Sequence, residues 1–538
     1  MPQLQLNSGP QDALLYDNTR SYFTNVGYVR TSNFQLELRD VDSQNTANLG
    51  STVQFVIPKA ADLLGPVDLM LELAPSTNAN STSGTTTANQ FAAWVDAVGF
   101  AMIEKIVFSV GSHDIETITG DQLNIMNELM KSDSQRLGTE TILKTGQPAY
   151  YSQVTDATTA SILTNTTSKG RLLSAGTANV AGKKKLIVPL GLFFTKHPSQ
   201  YFPLCSIAGC NDVRISVKLR STSELVQLGI TNYDIVDSVL NGDNANDVSV
   251  SAPTFADGPI VSGSCKLRCH YVHVTGPEAT TLMNKEHVRL LKLWQVNTKT
   301  FSLTKGQPGD KQSIASMDLS FLHPVSELII TIRKVSEMGS STSTAITPQA
   351  SNQGAITKNY FAYHGGGKDP NPDACSNKFL KSTGAAGAVD GDVEDAYLTV
   401  DNIQLTLNGQ ERHPSLAAKG LDRNYLMNRL MPMLHSNSSS VFSSAAESTV
   451  ADGSEADFAA IGEMLDRKEI YVYPFSLNPE GSNPSGAVNF SKVSHAKLAI
   501  EGIVSAVAST AVEYQVDVYG VHYNWLQIKD GRALTSFS

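Results

Sequence analysis

The residues of this chain with the most direct capacity for chemistry are five cysteines and a pair of close histidines. Cys205-x4-Cys210 and Cys265-x3-Cys269 raise the question of zinc, which takes thiolates and imidazoles in tetrahedral sites. A zinc knuckle usually needs Cys-x2-Cys or similar, with a tight turn at each pair. Cys269 lies instead in the alternating run KLRCHYVHV (266–274) and Cys265 directly before it, which puts both on one side of a strand, and they read as buried free thiols. Cys375 makes the count odd, which argues against a disulfide framework and for a reducing compartment. His270 and His273 are three apart in that run, fall on opposite faces and are poorly placed to share a metal. The carboxylates of Asp390, Asp392, Glu394 and Asp395 could supply an acid/base pair for a carbohydrate enzyme, yet nothing around them indicates a cleft, and they read as a solvated turn. The Asp/Asn cluster NGDNAND lacks the spaced ligand order of a calcium loop. Gly176-TANVA-Gly182-Lys183-Lys184 has the wrong spacing for a phosphate loop and no hydroxyl after Lys183. Neither H-E-x-x-H nor G-x-S-x-G occurs. No catalytic, cofactor-binding or metal-binding residue is assigned, and the chain is expected not to be an enzyme.

The elements that would carry such residues are strands. Phe34, Leu36 and Leu38 alternate with polar residues, as do Val53, Phe55 and Ile57, then Val67, Leu69, Leu71 and Leu73, then Ile106, Phe108 and Val110, then Val213, Ile215, Val217 and Leu219. Each pattern predicts a strand with one face in a core. One helix is predicted over 121–131, with Leu123, Met126 and Leu129 at helical spacing, Asp121 available as a cap, and Asn124, Asn127 and Glu128 on an outer face. Further strands are predicted at 266–274, 288–296, 314–321, 328–334, 397–407, 469–475, 496–503 and 512–520, and a short helix near 458–467. Long polar loops are predicted at 337–391 and 437–453; loops of that length in a compact domain are usually functional or poorly ordered.

Composition bounds the class. At 538 residues the chain is too long for one core, since cores stop growing near about 250–300 residues, and it predicts two domains. Apolar residues make up 41% and charged residues 17%, and the turns are rich in Gly, Ser, Thr and Asn. The net charge of -10 does not suit a direct nucleic-acid binder, and Lys183-Lys184-Lys185 is read as a solvated strand entrance. Met1 to Gly9 lacks the charged and apolar regions of a secretion signal, so a cytosolic origin is expected. Asn80, Asn165, Asn437 and Asn489 stand in Asn-x-Ser/Thr sequons. The first three are candidate glycosylation sites; Asn489 is read as structural.

The densest signal is 469–491, EIYVYPFSLNPEGSNPSGAVNFS. An alternating strand runs into Pro479, Pro484, Ser485 and Gly486, then Asn489-Phe490-Ser491. Pro and Gly at that density specify a fixed irregular loop. This segment resembles the signature loop of the double jelly-roll major capsid proteins of nucleocytoplasmic large DNA viruses (the phycodnavirus, iridovirus and mimivirus kind). Other motifs follow in the same order as in that family. Tyr22 to Phe34 resembles its aromatic opening ending in Thr/Ser-Asn-Phe, and Ile106 to Glu116 its strand and Gly-Gly turn, with Ser112 in place of the second Gly. The stretch from Leu190 to Arg220 is similar to an aromatic and Pro-Leu strand region of the family. IQLTLNGQER (403–412) resembles its Leu-Asn-Gly-Gln segment, and Tyr519 to Leu526 its closing motif, with His522 at the position of an Asn.

The resemblance implies an all-β chain of two tandem eight-stranded antiparallel jelly rolls with short helices in loops. The expected division is an N-terminal arm at 1–25, a first roll at 26–222, a connection at 223–263, a second roll with long insertions at 264–526 and a tail at 527–538. It implies a major capsid protein whose homotrimers form pseudo-hexagonal capsomers tiling an icosahedral shell. The implied partners are further copies of itself, minor capsid proteins and an inner viral membrane at the base, with no direct nucleic acid and no cofactor. The implied location is the virion, after assembly in host cytoplasm. The competing reading from the residues is a surface β-sandwich of the carbohydrate-binding or adhesin type.

Overall fold

The computed structural model describes residues 34–74, 89–95, 97–131, 135, 139, 184–231, 250–251, 255, 257–274, 277–304, 311–338, 345–346, 360–361, 363, 397–412, 420–435, 469–481, 483–505 and 512–536. Sixteen of the 24 strands among the described residues build its four main sheets. The first eight are β1 (Phe34–Asp42), β2 (Thr52–Ile57), β3 (Leu63–Leu73), β4 (Ile103–Val110), β5 (His113–Ile118), β6 (Lys184–Pro189), β7 (Val213–Leu219) and β8 (Lys266–Val274). The second eight are β9 (His287–Leu303), β10 (Gln312–Asp318), β11 (Pro324–Lys334), β12 (Tyr397–Leu407), β13 (Gln410–Glu411), β14 (Ile470–Pro474), β15 (Ala496–Ser505) and β16 (Val512–Lys529). The remaining strands form small ribbons or add to the edges of these sheets.

The strands form two pairs of antiparallel sheets. The first pair has the orders β1–β8–β3–β6 and β2–β7–β4–β5; the second has β9–β16–β11–β14 and β10–β15–β12–β13. Adding eight to every label of the first pair gives the second. The chain is therefore two eight-stranded jelly rolls with the same wiring, an all-β fold with short helices between strands.

Alternation explains the core. In β7 the residues Val213, Ile215, Val217 and Leu219 are buried while Arg214 and Lys218 face out. Phe55 of β2 and Phe108 of β4 are fully buried, and Phe108 packs against Phe194 and Phe202 with ring centroids 5.1 and 5.2 Å apart. The second roll repeats the arrangement with Ile403 and Leu405 of β12, Leu498 and Ile500 of β15, and Ile330 and Ile332 of β11. The Asn408-Gly409 pair takes positive φ at both residues (51° and 80°), the geometry of a two-residue hairpin turn, and joins β12 to β13.

Three expectations need correction. The strand expected to open the second half, β8, pairs with β1 and β3 and so completes the first roll. The tail expected from 527 is structured: β16 runs to Lys529 and then pairs with Arg532–Thr535. The apolar row Phe34, Leu36 and Leu38 is not core; these residues are 57%, 62% and 61% exposed. Position in the sheet is the cause: β1 is an edge strand, and residues on both of its faces are exposed from Phe34 to Asp40. The core side of β8 is marked by buried Leu267, Cys269 and Tyr271, and their cross-strand partners on β1 are Val41, Arg39 and Glu37. Leu38 stands opposite His270, but Leu36 and Phe34 stand opposite the buried Val272 and Val274, so the row shares a face with partly covered β8 and is itself left uncovered at the edge. The helix expected at 458–467, the loop at 437–453 and nearly all of 337–391 lie outside the described residues, as do 1–33.

Candidate functional site: the seam between rolls and the signature loop

Two helical segments sit at matching places in the wiring. The helix α1 (Gly120–Met130) lies between β5 and β6. The segment α2, comprising Arg423–Tyr425, Leu426–Leu430 and Met431–Leu434 as consecutive turns, lies between β13 and β14. Thr119, not Asp121, caps α1: its hydroxyl accepts from Gln122 N–H at 3.3 Å, and Gln122 returns a carbonyl to Thr119 N–H at 3.0 Å. Asp121 is left free for another task. The predicted outer face of α1 is not outside either, because Asn124, Asn127 and Glu128 are all buried.

The second roll meets this side of α1. The outward side of β11 and β16 carries Arg333 and Asp517, whose side chains are each 2% exposed. Arg333 donates to Asp121 of the first roll at 2.8 Å and to Asp517 at 2.5 Å. Asp517 also accepts from Thr298 Oγ1 at 2.7 Å and from Gln515. Arg220, just past β7, stacks its guanidinium on the Tyr360 ring at 4.1 Å, and Asn124 donates to Tyr363 Oη at 3.1 Å. Burial opposes the charge of Arg333, but the carboxylates of Asp121 and Asp517 outweigh it and hold the guanidinium well above its ordinary value. This buried acid–base–acid bridge fixes how one roll sits on the other.

The signature loop is locked by a second buried cluster. His435, fully buried at the end of α2, bridges Glu327 of β11 at 3.0 Å and Glu480 of the loop at 2.9 Å. Both ring nitrogens meet carboxylates, so both donate and the ring is an imidazolium. Burial works against that charge; the two hydrogen-bonded carboxylates overcome it and raise His435 to about 9. Lys292 of β9 donates to the carbonyls of Pro479, at 2.7 Å, and Gly481.

Within the loop, Ser485 Oγ accepts from Asn478 N–H at 2.9 Å and donates to its carbonyl at 3.1 Å, while Asn478 Oδ1 accepts from Gly481 N–H. Gly486 has φ 139°, and a Cβ there would stand 2.8 Å from the Phe475 carbonyl oxygen. Asn489 Oδ1 accepts from Ser491 N–H at 3.1 Å, and Phe490 packs on Phe321 and Phe475. Pro479 is buried and Pro484 exposed. The structure thus gathers the signature residues around a latch built from three distant segments.

The other candidates stay apart. Cys265 and Cys269 are buried, with thiols pushed up to about 12 by burial, whereas Cys205 is half-buried and Cys210 exposed. His270 lies 3.8 Å from Asp68, and His273 lies 2.7 Å from Glu37. Among the described residues no group of three or more His, Cys, Asp or Glu is arranged for a metal. Asn80, Asn165, Asn437, Cys375 and the carboxylates at 390–395 lie outside the described residues.

Sequence reasoning missed the Arg333 bridge, α2 and His435. A signal existed for two of them. Arg333 interrupts the apolar run LIITIRK, and Leu426, Leu430 and Leu434 recur at helical spacing after Asp422, which accepts a cap bond from Tyr425 N–H.

A family described as "Major capsid protein N-terminus" matches residues 21–254. The major capsid protein of Phaeocystis pouchetii virus is 22% identical, covering 98% of each chain. That of Paramecium bursaria Chlorella virus 1 is 20% identical, covering 97% of this chain and 96% of its own. This chain resembles the major capsid proteins of large DNA viruses from end to end. The solved PBCV-1 virus capsid has the same fold: TM-score 0.61 at 16% identity, over 96% of this chain and all of that one. The Faustovirus major capsid protein superposes with TM-score 0.52 at 12% identity, over 95% and 93%. Both sequence relatives are described as major capsid proteins, and this chain is similar to them over nearly its whole length.

Proposed function

We propose that the chain is the major capsid subunit of a large DNA virus and assembles as a homotrimer. The observation that carries this reading is the eight-strand repeat. Three copies of a chain with two like-wired rolls present six like-wired rolls around one axis, so a threefold object acquires a nearly hexagonal outline. Such tiles pack edge to edge into an icosahedral shell. A buried bridge at Arg333 suits this role, because a tile needs its two rolls held at one angle. Minor capsid proteins and an inner membrane at the base of the tile are the further partners, and host cytoplasm is the place of assembly. We assign the first roll to 26–274 and the second to 277–536, since β8 pairs with the first set of strands. The signature loop serves as a structural lock. Asn80, Asn165 and Asn437 are the candidate sites for sugars.

The test is the mass of the purified full chain in solution. A stable species at three times 57.7 kDa, with a hexagonal outline in negative stain, supports the reading. A monomer at micromolar concentration that binds glycans overturns it in favour of an adhesin.

A further inference from the structure

The two rolls have the same wiring but unequal cover. The outward side of β11 and β16 is buried inside the chain: Ile329, Thr331, Arg333, Asp517 and Tyr519 are all 3% exposed or less. The first roll supplies much of that cover through Asp121 of α1 and Arg220. The equivalent side of the first roll is covered at Met70, Val272 and Val274 but open along its edge strand. Phe34, Leu36 and Leu38 form an exposed apolar row on β1, and Arg268 and His270 beside them on β8 keep over a third of their side-chain surface in water. Exposed apolar rows of this kind mark interaction surfaces.

A matching unpartnered surface lies elsewhere on the chain. Helix α2 occupies in the second roll the place that α1 occupies in the first. Tyr425, Arg429 and Met433 recur every four residues along α2 and are exposed, Tyr425 by 48% and Met433 by 59%. Residues four apart share a helix face, so these three form one stripe. It carries the cation Arg429, while the open sheet is mixed in charge, with Arg268 on Asp40 at 2.9 Å and His270 3.8 Å from Asp68.

Resting on the trimer reading, we infer that the exposed β1 row on the β1–β8–β3 face of one copy receives the α2 stripe of the next. Inside the chain, the helical corner of roll one covers the sheet of roll two. Between chains, the helical corner of roll two covers the sheet of roll one. A head-to-tail contact of this type closes into a ring when the rotation fits. Three copies then alternate internal and external seams of the same design.

The experiment uses the full chain. Leu36→Glu with Leu38→Glu, and separately Tyr425→Glu with Met433→Glu, place charges at exposed positions. Each double variant is expected to run as a single chain at a concentration where the wild type runs as three, with an unchanged far-ultraviolet spectrum. Leu38→Cys with Met433→Cys, in a Cys210→Ser background, should yield covalent species of two and three chains on mild oxidation, seen on a non-reducing gel. Variants that still run as three chains, with no such cross-links, overturn the interface and leave the trimer standing. A disulfide that closes within one chain, without a rise in mass, also overturns it. A monomeric wild type brings down the trimer reading and this one together.

Discussion

Deprotonating His435 should unlock the signature loop, and the size of the effect follows from its surroundings. The imidazolium faces Glu327 and Glu480, and the Lys292 ammonium approaches the same carboxylates from β9. Two negative and two positive charges balance. Loss of the imidazolium proton leaves two carboxylates against one ammonium in a buried site, where unpaired charge is costly. The folded value of about 9 lies above the ordinary 6.5, so the stabilisation is complete below about pH 6.5 and disappears as pH rises through about 9. Raising an imidazole by that amount corresponds to about 3 kcal/mol in total, of which about 2.5 kcal/mol is lost between pH 7 and 9.5. For a roll that melts as one unit, that is on the order of 5–10 °C. Glu116 is raised to about 7 by burial and also titrates, but its share ends near the start of this window. Melting curves of the wild type and His435→Gln across pH 7 to 9.5 measure the effect. The variant should start lower and stay flatter, so that the gap narrows with pH. Parallel curves would refute the argument, because they would mean that His435 carries no proton to lose.

Four further outcomes are expected. Arg333→Ala should destabilise by about 3–5 kcal/mol by chemical denaturation, since Asp121 and Asp517 would be left buried without their partner; a loss under 1 kcal/mol would mean that water reaches the seam. Gly486→Ala should cost on the order of 1–3 kcal/mol through the φ of 139° and the close Phe475 carbonyl, with the loss visible as faster amide exchange in 477–491. Thr119→Ala should cost about 1 kcal/mol by removing the α1 cap, whereas Thr119→Ser should restore most of it. A thiol reagent under native conditions should label Cys210 rapidly and leave Cys269 unreacted until the protein unfolds, read by mass spectrometry of peptides.

The strand content was legible from period-two alternation, as β7 shows, because burial on one face of a pleat imposes that pattern whatever the partner. The signature loop was legible because Asn478, Ser485, Gly486 and Asn489 act within a few residues of themselves through turn and cap bonds. Local chemistry of this kind is written in adjacent letters. Pairing is not. Alternation at Phe34, Leu36 and Leu38 implied that these three share a face, but only the place of β1 at the edge of its sheet decided that the face stays exposed. The same limit applied to Asp121, which suits a helix cap by type and position. Its carboxylate instead meets Arg333, 212 residues away, because the second roll comes to rest on α1. His435, Glu327 and Glu480 come from three segments and become one charged cluster only when β11, α2 and the loop close together. Sequence alone specified which segments are strands and which turns are rigid. Tertiary structure decided which charges are buried together and which apolar row is left for another molecule, since both depend on contacts between residues hundreds of positions apart.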